Sequence, residues 1–213
     1  MSEIRKWKKF KLSILVLILA NLIPLWGVLF WDWQIFQILI LYWFETAIIG
    51  AFTILKIMFT LASLGEKILG VIALILALGS FMMGHLIFLL IINEITRGGA
   101  AEIVIYPRSI IYELSLSIIP IISMTISHGM SFVSNYISNG EYKKAEVNNL
   151  IMAPHARVFA MHFVIILGLI LYATVQQSLS ILLLFIFIKT LADVIAHTNE
   201  HYKFITPVKT KKG

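Results

Sequence analysis

Apolar residues run along this chain in long unbroken blocks rather than in the stripes that a soluble core leaves on a helix or strand. The blocks predict about six transmembrane helices, near 11–31, 33–63, 67–95, 109–137, 157–176 and 179–201. Roughly 18 or more apolar residues in a row is what a hydrocarbon slab demands of a helix. Strands are not an option for such blocks, because an open strand leaves backbone groups unpaired in lipid. The short links at Asp32 and at Gln176 to Ser178 make the first helix antiparallel to the second and the fifth antiparallel to the sixth. The expected fold is an all-α, polytopic membrane bundle in which residues 1–213 form one integral membrane domain.

Composition sharpens this picture. With 60% hydrophobic and 13% charged residues in 213 positions, there is too little polar surface to coat a soluble core. The chain has no cysteine, which excludes disulfides, thiolate metal sites and cysteine nucleophiles. The net charge of +6 sits beside the apolar blocks and not on a separate basic face, so anionic lipid headgroups are the expected partner and nucleic acid is not. The start, Arg5, Lys6, Lys8, Lys9 and Lys11 followed by Leu12 to Ala20, is built like a signal peptide. No small-x-small cleavage site follows, and the apolar run continues through Pro24 and Trp26 to Phe30, so a retained anchor is expected.

Most basic residues fall on one side of the predicted spans: the N-terminal cluster, Lys56, Lys67, Lys143, Lys144, Arg157, Lys203, Lys209, Lys211 and Lys212. Arg97 and Arg108 fall opposite. The positive-inside rule then puts both termini in the cytoplasm, and a multi-pass place in the cell membrane is the expected location. Trp7, Trp26, Trp31 and Trp33 lie near predicted interfaces, where amphipathic rings are favoured.

Against this background the ionisable residues inside the blocks stand out, since each costs on the order of 3 kcal/mol at a bilayer centre. Glu45 lies in the second span, His85 in the third, His128 in the fourth, His162 in the fifth, and Lys189, Asp193 and His197 in the sixth. Counting about 1.5 Å per residue from the outer ends puts Glu45, His85, Lys189 and Asp193 in one layer roughly 15–21 Å deep. The same count puts His128 and His197 at about 27 Å, with His162 shallower. Lys189, Asp193, His197 and His201 recur every fourth residue, which makes a polar stripe along the sixth helix. His197 and His201 form an HxxxH pair, a spacing at which two imidazoles can reach one cation, with Asp193 as ligand or orienting acceptor. The competing structural reading is an ion pair of Lys189 with Asp193 or Glu45 that only neutralises buried charge.

The fourth span carries Ser123, Ser127, Ser131 and Ser134 near Pro120 and His128. Small hydroxyls let membrane helices approach, so helix packing is favoured there over a nucleophilic serine. His155 and Arg157 are expected at an interface, where a basic residue serves as an anchor.

Three short motifs together resemble an uncharacterised membrane family, the domain-of-unknown-function group 6498: Tyr42-Trp43-Phe44-Glu45, Pro154-His155-Ala156-Arg157 with His162, and Lys189-Thr190-Leu191-Ala192-Asp193 with His197. The resemblance implies that Glu45, Arg157, His162, Lys189, Asp193 and His197 share one site. The HxxxH of His197 and His201, with His85 and Ser80 on an earlier helix, also resembles the zinc site of seven-helix membrane hydrolases of the alkaline ceramidase type, although this chain has one span fewer. Rhomboid proteases are similar in helix count, with Ser127 or Ser131 and His197 in the places of their dyad, but the GxSG signature is absent.

The leading expectation is therefore a metal-dependent membrane hydrolase. A divalent metal such as zinc would be held by His197, His201 and one of His85, His128 or His162, with Glu45 as general base, Lys189 stabilising negative charge and Asp193 orienting a ligand. Arg157, Ser127 and Ser131 would line the site. The alternatives are a proton- or cation-coupled transporter and a scaffold or assembly subunit; oligomeric state is left open.

Overall fold

The computed structural model describes residues 3–31, 33, 35–96, 118–155, 158–159, 162–163, 166 and 179–205. Every described regular element is helical: α1 (Glu3–Asn21), α2 (Ile23–Phe30), α3 (Ile35–Phe59), α4 (Leu64–Thr96), α5 (Ile118–Ser131) and α6 (Leu179–Ile205). A π-helical turn, Phe132–Ile137, extends α5, and a 3₁₀ turn, Glu141–Lys143, follows. Residues 147–155 are helical as well. Four stretches are long and apolar enough to cross a membrane: Phe10–Phe30, Phe36–Phe59, Leu64–Ile91 and Leu182–His201. The first part of the expected span 109–137, most of the span 157–176, and Arg157 itself lie outside the described residues.

Local chemistry sets the breaks. The first predicted span is two helices, interrupted at Leu22, because Pro24 in the first turn of α2 has no N–H to give to the carbonyl of Ala20. α3 ends where the Thr60 hydroxyl donates to the Ile57 carbonyl at 2.7 Å. α4 opens on a capping box: the Glu66 amide donates to Ser63 Oγ at 3.3 Å, and the Glu66 carboxylate accepts from the Ser63 amide at 3.0 Å. Gly140, at φ 74°, supplies the left-handed residue that turns the chain from the π-helical segment into the 3₁₀ turn.

Paired contacts fix the helix directions. Ser13 meets His197 and Asn21 meets Lys189, so α1 and α6 are antiparallel. Glu45 meets Lys189 and Lys56 meets Glu200, so α3 and α6 are parallel. Glu45 meets His128 and the Lys56 carbonyl meets Tyr136, so α5 runs with them. Trp43 meets Met82 and Gly50 faces Leu78, so α4 runs against α3. The start of α1 and the end of α6 therefore lie at the same end of the bundle, where the Phe10 ring stacks on His197 with centroids 6.0 Å apart.

The distribution of polarity is inverted relative to a water-soluble bundle. Ser13, Asn21, Glu45, His85, Ser131, Asn135, Asp193, His197 and His201 are buried, while Leu15, Leu19, Phe30, Leu69, Leu76, Met83, Phe187 and Ile195 are exposed. So much exposed apolar surface is what a hydrocarbon solvent covers. Two apolar clusters flank the polar interior. One joins Val28, Trp33, Leu39, Leu41, Leu89, Met124, Phe185 and Ile186. The other joins Ile57, Leu74, Leu78, Tyr136, Leu150 and Val158. Trp33, expected at an interface, is in fact only 4% exposed; Trp26 and Trp31 are the exposed ones of that set.

Trp33 is buried because it turns back onto α2, its amide donating to the Gly27 carbonyl at 3.2 Å and its ring lying where a Cβ on Gly27 would be. A rigid ring cannot yield as a methyl end can. Gly27→Ala is expected to cost about 1–3 kcal/mol, as overpacking of a tight core does. Thermal unfolding followed by circular dichroism in detergent checks this, with Gly79→Ala, which meets nothing within 4 Å, as the neutral control.

Candidate functional site

The polar interior is organised in two connected groups. In the first, the Lys189 ammonium of α6 binds the carboxylates of both Glu45, on α3, and Asp193, one turn further along its own helix. It also donates to Asn21 Oδ1 at 2.8 Å and lies 4.7 Å from the centroid of the Tyr42 ring. On its other side Glu45 faces His128 of α5, with Nε2 3.7 Å from Oε1. Four helices thus contribute to one charge cluster. Glu45 is 2% exposed and Asp193 5%, so the Coulomb terms act at low dielectric and their geometry matters.

The second group lies towards the end of the bundle that holds both termini. Ser13 donates its hydroxyl proton to the Phe10 carbonyl at 2.8 Å and accepts from Asn135 Nδ2 at 2.9 Å. His197 Nε2 lies 2.9 Å from the same oxygen. With its one proton given to the carbonyl, Ser13 takes a hydrogen from Nε2, so that nitrogen is a donor rather than an open metal ligand. Asn135 Nδ2 also reaches Ser131 Oγ at 3.3 Å, and Ser131 Oγ lies 3.3 Å from His201 Nε2. His201 Nδ1–H donates to the Glu141 carboxylate at 2.7 Å. The imidazoles of His197 and His201 pack edge to face with centroids 4.6 Å apart. Between the groups sits a small cavity of ≈ 20 Å³ lined by residues that include Thr53, Lys56, His128, Ser131, His197 and Glu200, enough for one water molecule.

The geometry confirms some pairings expected from the sequence and redistributes others. Glu45, Lys189 and Asp193 do form one layer, and His128, expected deeper, joins it through Glu45. His197 and His201 lie nearer the termini, as expected, but each is engaged by hydroxyl and carboxylate partners. His85 pairs with His162 instead, their facing Nε2 and Nδ1 in contact and the Phe81 ring 5.0 Å and 4.7 Å from them. That pair lines a groove with Ser80, Gly84, Phe88 and Ile166 on the α4 side. Helix geometry gives the reason. Trp43 points at α4, donating to the Met82 carbonyl at 2.8 Å, and Glu45, about 200° further round α3, points away from it. The azimuth of His85 does not match that of Glu45.

Among the described residues no three His, Asp or Glu side chains are grouped to hold a metal ion. Ser80, the serine of the ceramidase-like set, is exposed and donates to the carbonyl of Ala77 at 3.2 Å, within its own helix. Ser127 is buried on α5. His155 donates to the Ile151 carbonyl at 2.9 Å and is half-buried at the end of helix 147–155. The residues that sequence reasoning passed over are Ser13, Asn21, Asn135 and Glu141.

Compared with known proteins, residues 4–209 match a family described as one of unknown function, DUF6498. No curated protein and no solved structure matches the chain.

Proposed function

We propose, for a chain that belongs to the family of unknown function DUF6498, that its polar interior is a proton-binding relay within a multi-pass membrane bundle. One observation carries this reading: two buried carboxylates, Glu45 and Asp193, converge on the single ammonium of Lys189. Neutrality in a buried site then calls for one further positive charge, and the His128 imidazole beside Glu45 is placed to accept it as a proton. From His128 the cavity leads to His197 and Ser13, a run of exchangeable groups towards the end of the bundle that holds the termini. By the positive-inside rule that end would face the cytoplasm, and the cell membrane is the location proposed here.

Among the described residues the opposite end is apolar. Phe185 and Ile186 precede Lys189 on α6, Leu39 and Leu41 precede Glu45 on α3, and Met124 precedes His128 on α5, all in one apolar cluster. A polar run towards one end with apolar side chains beyond it at the other is what one state of an alternating-access carrier would present. The metal-hydrolase alternative has less support, because the donors it needs are divided between the bundle interior and the α4 groove.

The test is proton uptake by liposomes that contain the purified chain and a trapped pH-sensitive dye, driven by a potassium diffusion potential. Uptake is expected well above that of empty liposomes for the natural sequence, and at the empty-liposome rate for Glu45→Gln. A natural chain no faster than empty liposomes, or a Glu45→Gln variant as fast as the natural chain, overturns the proposal.

A further inference from the structure

The pair of His85 and His162 lies apart from the charge cluster and takes no part in the proton relay. It stands in a groove of ≈ 590 Å³ whose walls include Phe81, Gly84, Phe88 and Ile166. Small-molecule sites are commonly of roughly 300–1,000 Å³. The groove has free space at Gly84, where an added Cβ would meet nothing within 4 Å. It opens to hydrocarbon, since Phe88 and Ile166 on its wall and Met83 and Ile87 beside it are exposed apolar side chains. One wall is aromatic: the Phe81 ring centroid lies 5.0 Å from that of His85 and 4.7 Å from that of His162, and the two imidazole centroids are 4.1 Å apart. Ser80, also on the groove, donates its hydroxyl proton within its own helix, which leaves the imidazoles as the polar groups on offer.

The pair uses one nitrogen of each ring, because His85 Nε2 faces His162 Nδ1 and one proton lies between them. His85 is 3% exposed, and its other nitrogen, Nδ1, is buried with no hydrogen-bond partner. A buried nitrogen in that position is better a bare lone pair than a stranded N–H. His85 Nε2 therefore carries the shared proton, and the half-buried His162 keeps its own on Nε2 as a donor. The occupant then needs an apolar body to arrive through lipid, a hydrogen-bond acceptor for that N–H, and a flat ring to lie on an aromatic wall. It needs no charge, since no lysine or arginine is among the described residues that line the groove. A lipid acyl chain has no acceptor, and a fatty-acid carboxylate would lack a cation. We propose that the groove binds the ring of a membrane quinone, with His162 Nε2–H donating to a ring carbonyl. The proposal is independent of the proton relay, since it rests on the α4 groove and not on the charge cluster.

A decyl-substituted benzoquinone that carries a ring azide, irradiated with the full chain in liposomes, tests this. The expected result is an adduct within residues 80–88 or 162–166, lost in the presence of excess azide-free decylbenzoquinone and kept in the same excess of oleic acid. Gly84→Leu, which fills the open space, should reduce labelling to background, whereas Gly79→Leu, also on α4 where a Cβ meets nothing, should leave it unchanged. His162→Phe keeps a ring and removes the donor, and should lower labelling about two- to tenfold, as the loss of one hydrogen bond does. Because the adduct and its competition are read on the natural sequence, a variant that fails to fold does not decide the matter. No adduct in the groove, an adduct that oleic acid suppresses as well as the quinone does, or full labelling of folded Gly84→Leu or His162→Phe overturns the proposal. Glu45→Gln, which is expected to stop proton uptake, should label normally, so the two readings fail separately.

Discussion

Replacing Lys189 with methionine is expected to destabilise the bundle by about 3–5 kcal/mol, the usual consequence of removing one partner from a buried ion pair. The loss is not of attraction alone. Lys189 is the common partner of Glu45 and Asp193, both almost fully buried, so the substitution leaves two carboxylates facing each other without their ammonium. It also removes the donor to Asn21 and the cation over the Tyr42 ring. Methionine keeps an unbranched stem of similar length, so the effect reports charge more than shape. A large fall in the thermal midpoint in detergent, followed by circular dichroism, is the expected readout. A midpoint within a degree of the natural chain would mean that water already screens the cluster.

The second large effect is expected at Glu141→Ala, about 1.5–3 kcal/mol, the range for a hydrogen bond to a charged group that is lost in a buried setting. Glu141 lies in a short turn between helices, where a carboxylate ordinarily contributes nothing. Here it is 2% exposed and holds His201, which is 1% exposed. The alanine variant strands the Nδ1–H of His201 away from water, whereas Lys143→Ala, two residues on and exposed, should change stability by no more than about 0.5 kcal/mol. Comparing the two by thermal unfolding separates a buried contact from a general loop effect. Equal midpoints would show that Glu141 reaches solvent.

The contrast between these two residues shows what a sequence reveals of such a site. Lys189, Asp193, His197 and His201 were legible because charge within an apolar block is expensive and the every-fourth-residue spacing puts them along one stripe. Glu45 was legible for the first reason alone. Glu141 was not, because a glutamate beside Lys143 and Lys144 in a polar loop reads as a solvated charge until the turn at Gly140 folds it beneath α6. Ser13 and Asn21 were hidden differently: serine and asparagine are cheap enough in a long apolar run that their presence predicts no partner, yet they are what α1 brings to the interior. A signal for the start of α4 was present in Ser63-Leu64-Gly65-Glu66 and has the form of a capping box.

The grouping of His85 with Glu45 failed for a geometric reason. Counting residues from a helix end gives height along the bundle but not the direction in which a side chain points, and two residues at one height can face opposite sides. His85 faces His162 and the α4 groove, and the charge cluster closes without it. Similarly, the HxxxH spacing brought His197 and His201 together as expected but could not say what each ring nitrogen would bind. The answer came from α1 and from the segment after α5, through Ser13, Ser131 and Glu141.

That α3 and α6 share one buried charge cluster is the claim on which the rest stands, and a double-mutant cycle between Glu45→Gln and Lys189→Met addresses it most directly. Stability of the natural chain, both single variants and the double variant is measured by unfolding in the same detergent. The shared cluster predicts a coupling of at least about 2 kcal/mol, with the double variant more stable than the sum of the single losses allows, because neutralising Glu45 removes one of the stranded carboxylates. Losses that add to within about 0.5 kcal/mol would contradict it, and would mean that Glu45 and Lys189 do not meet.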